Sequence, residues 1–403
     1  MCVKILRLLV KGGNNLKDGL RNVRADEKNK KWVQMIKREH TLYNRNNDIR
    51  TEFERDYTRI IHSNAFRRLK HKTQVFFSPS SDHICTRIEH INHVESISYT
   101  IANYLGLNTM LTKAIAVSHD IGHAPFGHKG ESILNSILER ENKESFWHEK
   151  NGLYFVDKIE LLEDENGHRH SLDLTYAVRD GIISHCGEID ENSIRPRDIA
   201  IDLQEYIRPN QYSPFTWEAC VVKIADKISY IGRDIEDALE LGILNKEEIL
   251  ELDKILNRRQ IINNANIINE LVSDLCLNSS EENGLTFSKD KLRMMDEIKK
   301  FNYENIYLCD RIKPSNKYFE LVLNQIFEIF IDSFEKQKFE KYKIIYKEIF
   351  EKFEQWLNKY TIEKENLVFE RNNKQDYVRA VVTYIAGMTD NYAIKCYNDI
   401  LTF

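Results

Sequence analysis

The sequence predicts an all-α protein. Three observations carry that expectation: glycine and proline are scarce (15 and 6 of 403 residues), 42% of residues are hydrophobic against 30% charged, and long stretches repeat apolar residues at the helical period. Strands and the tight turns that join them would demand more of both breakers and would show strict alternation instead. A chain of this length can bury a large core and has room for two or three domains, or one large domain with a subdomain.

Residues 1 to 45 are polar and rich in Lys, Arg and Asn, without a clear period, and read as an irregular N-terminal arm. From 46 to 245 the helical period is strong and the histidines concentrate, which marks a catalytic core. Residues 246–403 read as further helices packing on that core. NSSEENG at 278–284 is a loop, while KYFELVLNQIFEIFIDSFEKQ and YKIIYKEIFEKFEQWLNKY are long amphipathic helices. Tyr342, Ile345, Ile349, Phe353, Trp356 and Tyr360 form a stripe at helical spacing, suited to core or to a subunit contact.

A formal charge of −5 gives no global field that would draw the chain to nucleic acid or an anionic membrane, so any anion site must be local. Seven scattered cysteines without a C-x-x-C pair fit small core residues in a reducing cytosol. The start, MCVKILRLLVKGG, is too short for a signal peptide and no later run approaches a membrane span. The expectation is a soluble cytoplasmic protein.

Three segments carry candidate chemistry. In HINHVESISYTIANYLGL, Val94, Ile97, Ile101 and Leu105 follow the helical period, and His90 lies on the same inward stripe while His93 is turned away. In LTKAIAVSHDIGHAP the helix is apolar nearly all round before His119 and Asp120, and Gly122 and Pro125 break it just afterwards. In WEACVVKIADKISYIGRDIEDALELG, Ile224, Ile228, Ile231 and Ile235 form one face. Lys223, Asp226, Tyr230, Arg233, Asp234 and Asp237 form the other. Each has a plain structural reading: a hydrogen-bonded core histidine for His90, and a solvated face for the Asp226 arc. A buried His-Asp pair, however, is costly unless it is partnered or binds a metal. Imidazole and carboxylate without thiolate suit a catalytic divalent ion better than a structural zinc cage. Four such ligands on an ion that takes about six leave places for water and substrate.

With those segments assembled, the chain resembles the HD-domain superfamily, and more closely the deoxynucleoside triphosphate triphosphohydrolases of the dGTPase type. The resemblance rests on RIIHSNAFRRLKHKTQVF (59–76), TRIEH (86–90), HDIGHAPFGHKGE (119–131), FWHE (146–149), LTYAVRDGIISH (174–185), IADKISYIGRDIEDAL (224–239) and YIAGMTDNYA (384–393), in the family's order. It departs from the family at His93, where bacterial members commonly carry Glu, and at SHCGE (184–188).

The resemblance implies an all-helical HD core and an enzyme that converts a dNTP to deoxynucleoside and inorganic triphosphate. One divalent ion per site (Mn, Mg, Fe, Co or Ni) would be held by His90, His119, Asp120 and Asp226. His128 and Glu131 would form a catalytic pair, facing the same way if a helix begins near Gly130, with His148 at the phosphates and His123 in support. Arg87, Lys227 and Tyr230 match phosphate-contacting positions, and Gln74 and Asp234 match positions that read the sugar's 3′-hydroxyl. A homo-oligomer is also implied. Two other readings remain open: an HD phosphohydrolase for another nucleotide, such as a 5′-nucleotidase or cyclic nucleotide phosphodiesterase, and a non-catalytic nucleotide sensor.

Arg67, Arg68, Lys70 and Lys72 cluster beside Gln74, and the arm adds Lys28, Lys30, Lys31, Lys37 and Arg38. A solvated face is the default explanation. Triphosphate binding, an allosteric nucleotide at a subunit contact, and single-stranded DNA are the alternatives, the last weakened by the few interleaved aromatics.

Overall fold

The computed structural model of the chain describes residues 19–40, 42, 48–77, 83–164, 166–186, 192–256, 264–362 and 367–402. The opening MCVKILRLLVKGG, Cys2 and the last two residues of SHCGE lie outside them. Among the described residues the regular elements are helices, with one antiparallel hairpin in which Leu161–Glu163 pairs with Arg169–Ser171 in the register Leu161 to Ser171. Among the described residues no helix is long and apolar enough to cross a membrane. None of the six described cysteines is in a disulfide.

The core is built from α1 (Glu52–His62), α2 (Arg87–Leu105), α3 (Thr109–Ser118), α4 (Gly127–Asn142), α5 (His148–Tyr154), α6 (Tyr176–Ser184) and α7 (Trp217–Glu240). A capping box starts α2, where the Glu89 carboxylate accepts from the Thr86 backbone N–H at 2.8 Å. The helix stops at Gly106, whose φ of 78° suits a residue without a Cβ. Leu107 then leads to Asn108, whose side chain caps α3 by accepting from the Met110 and Leu111 amides. This short link lays α2 and α3 against each other, and α1, α6 and α7 pack on α3. With that much covering, Leu111, Thr112 and Ala114 through Ser118 are all buried, as the all-round apolar pattern requires.

The helix α7 departs from the expected solvated face. Lys223, Asp234 and Asp237 are buried along with the isoleucine face, because α8 (Asn264–Asn278) and α9 (Lys289–Asn302) cover what α2, α3 and α6 leave open. Asn302 seals the contact by donating to the Ile231 carbonyl at 2.8 Å.

Beyond the core, α10 (Lys313–Asp332) packs on α4, and α11 (Lys336–Ile345), α12 (Lys347–Thr361), α13 (Lys374–Ala386) and α14 (Asp390–Leu401) complete the chain. The expected single helix over 342–360 is broken at Tyr346, whose ψ of 56° lies outside the helical region. The break turns α12 so that Ile349, Phe353 and Tyr360 face the core, while Ile345 stays exposed. Two contacts tie this region to the core. The buried Asp390 carboxylate accepts from the Thr73 amide at 2.7 Å and the Phe126 amide at 2.9 Å. The buried Lys72 ammonium donates to the carbonyls of His123 and Ala386.

The described part of the N-terminal arm, residues 19–40 and 42, is more ordered than its composition suggests. Residues Trp32–Met35 form a short helix, Leu20, Ala25 and Met35 are buried, and the Ala25 amide donates to the buried Glu218 at 2.9 Å. The basic residues divide accordingly. Lys28 is exposed, whereas Lys31 donates to the carbonyls of Arg197 and Phe215, and Arg38 pairs with the buried Asp56 at 2.6 Å. Arg68 pairs with Glu160 at 3.0 Å. Partnered in this way, Lys31, Arg38, Arg68 and Lys72 are structural rather than a solvated face, since a guanidinium or ammonium spent on a buried acceptor is not offered to an outside anion.

Arg38→Ala is therefore expected to destabilise the protein by about 3 kcal/mol or more by leaving Asp56 without its counter-ion, and Lys28→Ala by roughly 0.5 kcal/mol or less. Urea unfolding of the two variants measures the contrast, and equal midpoints would overturn it.

Candidate active site

His90 enters the site from the first turn of α2, His119 and Asp120 from the end of α3, and Asp226 from the middle of α7. They are brought together. His90 Nε2 lies 3.0 Å from Asp226 Oδ1 and 3.7 Å from Asp120 Oδ2, and His119 Nε2 lies 3.5 Å from Asp120 Oδ1 and 3.8 Å from Asp226 Oδ1. His119 Nδ1 bonds the Ala116 carbonyl at 2.7 Å, which fixes the tautomer with a lone pair on Nε2. That Nε2 is buried and has no hydrogen-bond partner. An orphaned imidazole nitrogen facing two carboxylates fits a divalent cation, and His90, His119 and Asp226 offer ligand atoms within 4.8 Å of one another.

Asp120 is the most crowded member. Its Oδ2 receives Arg87 at 2.6 Å, and its Oδ1 lies 3.0 Å from His123 Nε2. Burial alone would raise its carboxyl, but the surrounding imidazoles of His123 and His119 and the Arg87 guanidinium hold it well below the usual carboxylate range. Burial likewise opposes ionisation of Asp226 and is outweighed by His90. Burial, reinforced by Arg87, keeps His123 neutral by pulling it well below the usual histidine range.

The second cluster stands beside the first. Gly122 allows it to do so: a Cβ there would sit 2.1 Å from the His148 carbonyl oxygen and 2.2 Å from the Gly152 amide, so only glycine lets the loop after α3 approach α5. His123 then stacks on His148 at 3.8 Å between ring centroids. Glu131 bonds His148 twice, accepting its backbone N–H at 3.1 Å and lying 3.0 Å from Nδ1. Burial lowers His148, but Glu149 and Glu131 overcome it and push the imidazole up to about 10.

His128 is placed differently from His148. Because α4 begins at Gly127 rather than near Gly130, its side chain is 62% exposed at the rim, with Nδ1 3.7 Å from Glu131 Oε2. Arg87, expected among the phosphates, is 1% exposed and bound to Asp120 and to the Gln74 carbonyl. Gln74 Oε1 is buried and unpartnered. Lys227 is buried and Tyr230 half-buried, both just beyond Asp226 on α7.

Two residues at the site were not singled out by the sequence. Tyr307, from the turn after α9, donates to the Asp234 carboxylate. Nothing local marks it, since 73 positions separate the two. His185 is the other. It ends α6 as His119 ends α3, preceded like it by a serine, and its Nδ1 bonds the Ile182 carbonyl at 2.7 Å. The repeated Ser-His at the end of an apolar helix was a usable signal.

Comparison with known proteins agrees with this geometry. Residues 87–231 match the HD domain family, and residues 332–399 match the phosphohydrolase-associated domain. A helical core presenting His, His-Asp and Asp at those positions defines the class of HD-domain hydrolases. Within it, the chain is 35% identical over 353 residues to a deoxyguanosinetriphosphate triphosphohydrolase-like protein of Caldanaerobacter subterraneus, covering 88% of this chain and 86% of the relative. Proteins of the same description from Clostridium tetani (33%, covering 88% and 86%) and Rickettsia bellii (31%, covering 87% and 92%) align similarly. The chain belongs to this family of HD-domain phosphohydrolases.

Burial raises the Asp234 carboxyl to about 7 against the opposing bond from Tyr307, so the fold favours its neutral form. The stability this contributes is complete below the ordinary carboxylate range and is lost as pH rises through about 7. Asp234→Asn, which mimics the neutral acid, should gain in Tm relative to the parent between about pH 5 and about pH 8.5. A pH-independent difference in scanning calorimetry would refute this.

Proposed function

We propose that the protein is a metal-dependent dNTP triphosphohydrolase that releases deoxynucleoside and inorganic triphosphate. The observation that carries this reading is the convergence of His90, His119, Asp120 and Asp226 around an orphaned imidazole nitrogen, next to a separate group of His123, His128, Glu131 and His148. The relatives named as deoxyguanosinetriphosphate triphosphohydrolase-like supply the substrate class.

In this reading His90, His119, Asp120 and Asp226 hold a divalent ion, which when bound supplies Lewis acidity at the α-phosphate and makes a water more acidic. Water adds to the α-phosphorus, the bond from that phosphorus to the 5′-oxygen breaks, and the 5′-oxygen takes a proton. His128 is the proton carrier, because it stands at the exposed rim where substrate arrives, and Glu131 orients it. Their separation of 3.7 Å is the looser spacing usual before substrate closes a site. His148, held by Glu131 and charged, faces the phosphates with buried Lys227. Tyr307 fixes Asp234 as an acceptor for the sugar's 3′-hydroxyl, and tight closure under the 2′-carbon selects deoxyribose.

The test is to incubate the metal-loaded protein with each dNTP, singly and mixed, and to identify products by chromatography. Inorganic triphosphate and deoxynucleoside are expected; orthophosphate from dAMP, with dNTPs untouched, would assign the site to another nucleotide. Asp120→Ala and Asp226→Ala should abolish both metal retention and turnover. His128→Ala should keep the metal and lower kcat by about 10²-fold or more, and an unchanged kcat would remove His128 from the mechanism.

A further inference from the structure

We propose that Ser229 is a positioning residue for the metal centre: its hydroxyl oxygen accepts the Nδ1–H of His90, and by holding the ring proton there it leaves Nε2 open to the cation. Ser229 Oγ lies 3.3 Å from His90 Nδ1 and 2.8 Å from the Asp226 carbonyl oxygen. Both side chains are buried, with Ser229 1% and His90 3% exposed. This inference rests on the proposed metal centre and is independent of which nucleotide is cleaved.

The direction of these hydrogen bonds follows from counting protons. A serine hydroxyl carries one proton and a carbonyl oxygen can only accept, so the 2.8 Å contact takes that proton to the Asp226 carbonyl. What Oγ turns toward His90 is then a lone pair, and Nδ1 is the donor. A hydroxyl that donates in one direction is a better acceptor in the other. The chain of bonds runs from the His90 ring through Ser229 to the backbone of Asp226, which is itself a proposed ligand.

Two places compete for the ring proton of a neutral His90. On the Nε2 side stand the carboxylates, Asp226 Oδ1 at 3.0 Å and Asp120 Oδ2 at 3.7 Å, and on the Nδ1 side stands Ser229. A proton on Nε2 occupies the lone pair that a cation needs, because a ligating imidazole nitrogen is unprotonated. Ser229 satisfies the other tautomer, so the ion enters without first moving a proton across the ring. His119 reaches the same end by another route, with Nδ1 on the Ala116 carbonyl.

The plain reading of Ser229 is a buried helical serine bonding back to the carbonyl three residues earlier. That reading explains one of its two contacts. It does not explain why Oγ meets a ring from another helix, 139 positions away, or why a buried position of α7 carries a polar atom when alanine propagates a helix better. Asp226 and Ser229, three apart on α7, lie on one side of that helix. A single helix thus supplies one proposed ligand and the group that aligns another, from α2.

The test strips the full chain with a chelator and titrates parent, Ser229→Ala and Ser229→Thr with manganese alone, following the free ion by electron paramagnetic resonance. Ser229→Ala is expected to bind manganese about 10- to 100-fold more weakly, while the unfolding midpoint of its metal-free form stays no lower than the parent's. Ser229→Thr, which keeps the hydroxyl, should recover most of the affinity. An equal loss in both variants would overturn the proposal, and a lowered metal-free midpoint with unchanged affinity would assign Ser229 to packing alone. Manganese uptake that Asp226→Ala abolishes and Ser229→Ala leaves untouched would defeat the role of Ser229 and keep the metal centre, whereas no uptake by the parent would defeat both. Should Ser229→Ala fail to fold, the cobalt-loaded parent decides by proton magnetic resonance. Two ring N–H resonances shifted by the ion and lost in heavy water are expected, from Nδ1 of His90 and of His119, and one alone would overturn the inference.

Discussion

A carboxylate buried at the centre of a helical protein must be surrounded by positive or proton-donating partners, and Asp120 imposes that requirement on everything near it. Its two oxygens are approached by one guanidinium and by imidazoles from five positions spread over α2, α3, α5, α6 and the loop after α3. Each of those groups would itself be costly to bury alone. Their mutual satisfaction is what allows so polar a cluster to sit among helices whose other residues are nearly all apolar, and it explains why the elements that supply them pack so closely.

The close approach has its own requirements. The loop after α3 reaches α5 only because Gly122 has no side chain, and the helix α3 can be buried on every side only because four other helices cover it. The C-terminal helices contribute by a different route. Asp390 and Lys72 are buried charged groups whose hydrogen bonds reach the backbone at Thr73, His123 and Phe126. Through them the region matched to the phosphohydrolase-associated domain fixes the backbone that carries Gln74 and His123, so it acts as a clamp on the site rather than an appendage.

Electrostatics divides the histidines among tasks. His123 and His185 are kept neutral by burial, the latter pulled down to about 3, whereas His148 is kept charged by Glu149 and Glu131. Groups of one chemical type thus stand within a few ångströms of each other in opposite protonation states.

The sequence by itself determined the helical class and the faces of the helices, because burial repeats at 3.6 residues and leaves a readable stripe at His90, Val94 and Ile97. It also determined the local dipeptides that make a buried His-Asp pair expensive without a partner. Only the tertiary structure decided that the polar arc of α7 is buried, that α12 begins anew at Tyr346, that Glu131 sits closer to His148 than to His128, and that Tyr307 and His185 belong to the site. The reason is physical. Periodicity records which face of a helix is covered by most of its neighbours. The meeting of side chains more than 60 positions apart, as at Asp120 and His185, is set by how helices are stacked, and no local pattern encodes that.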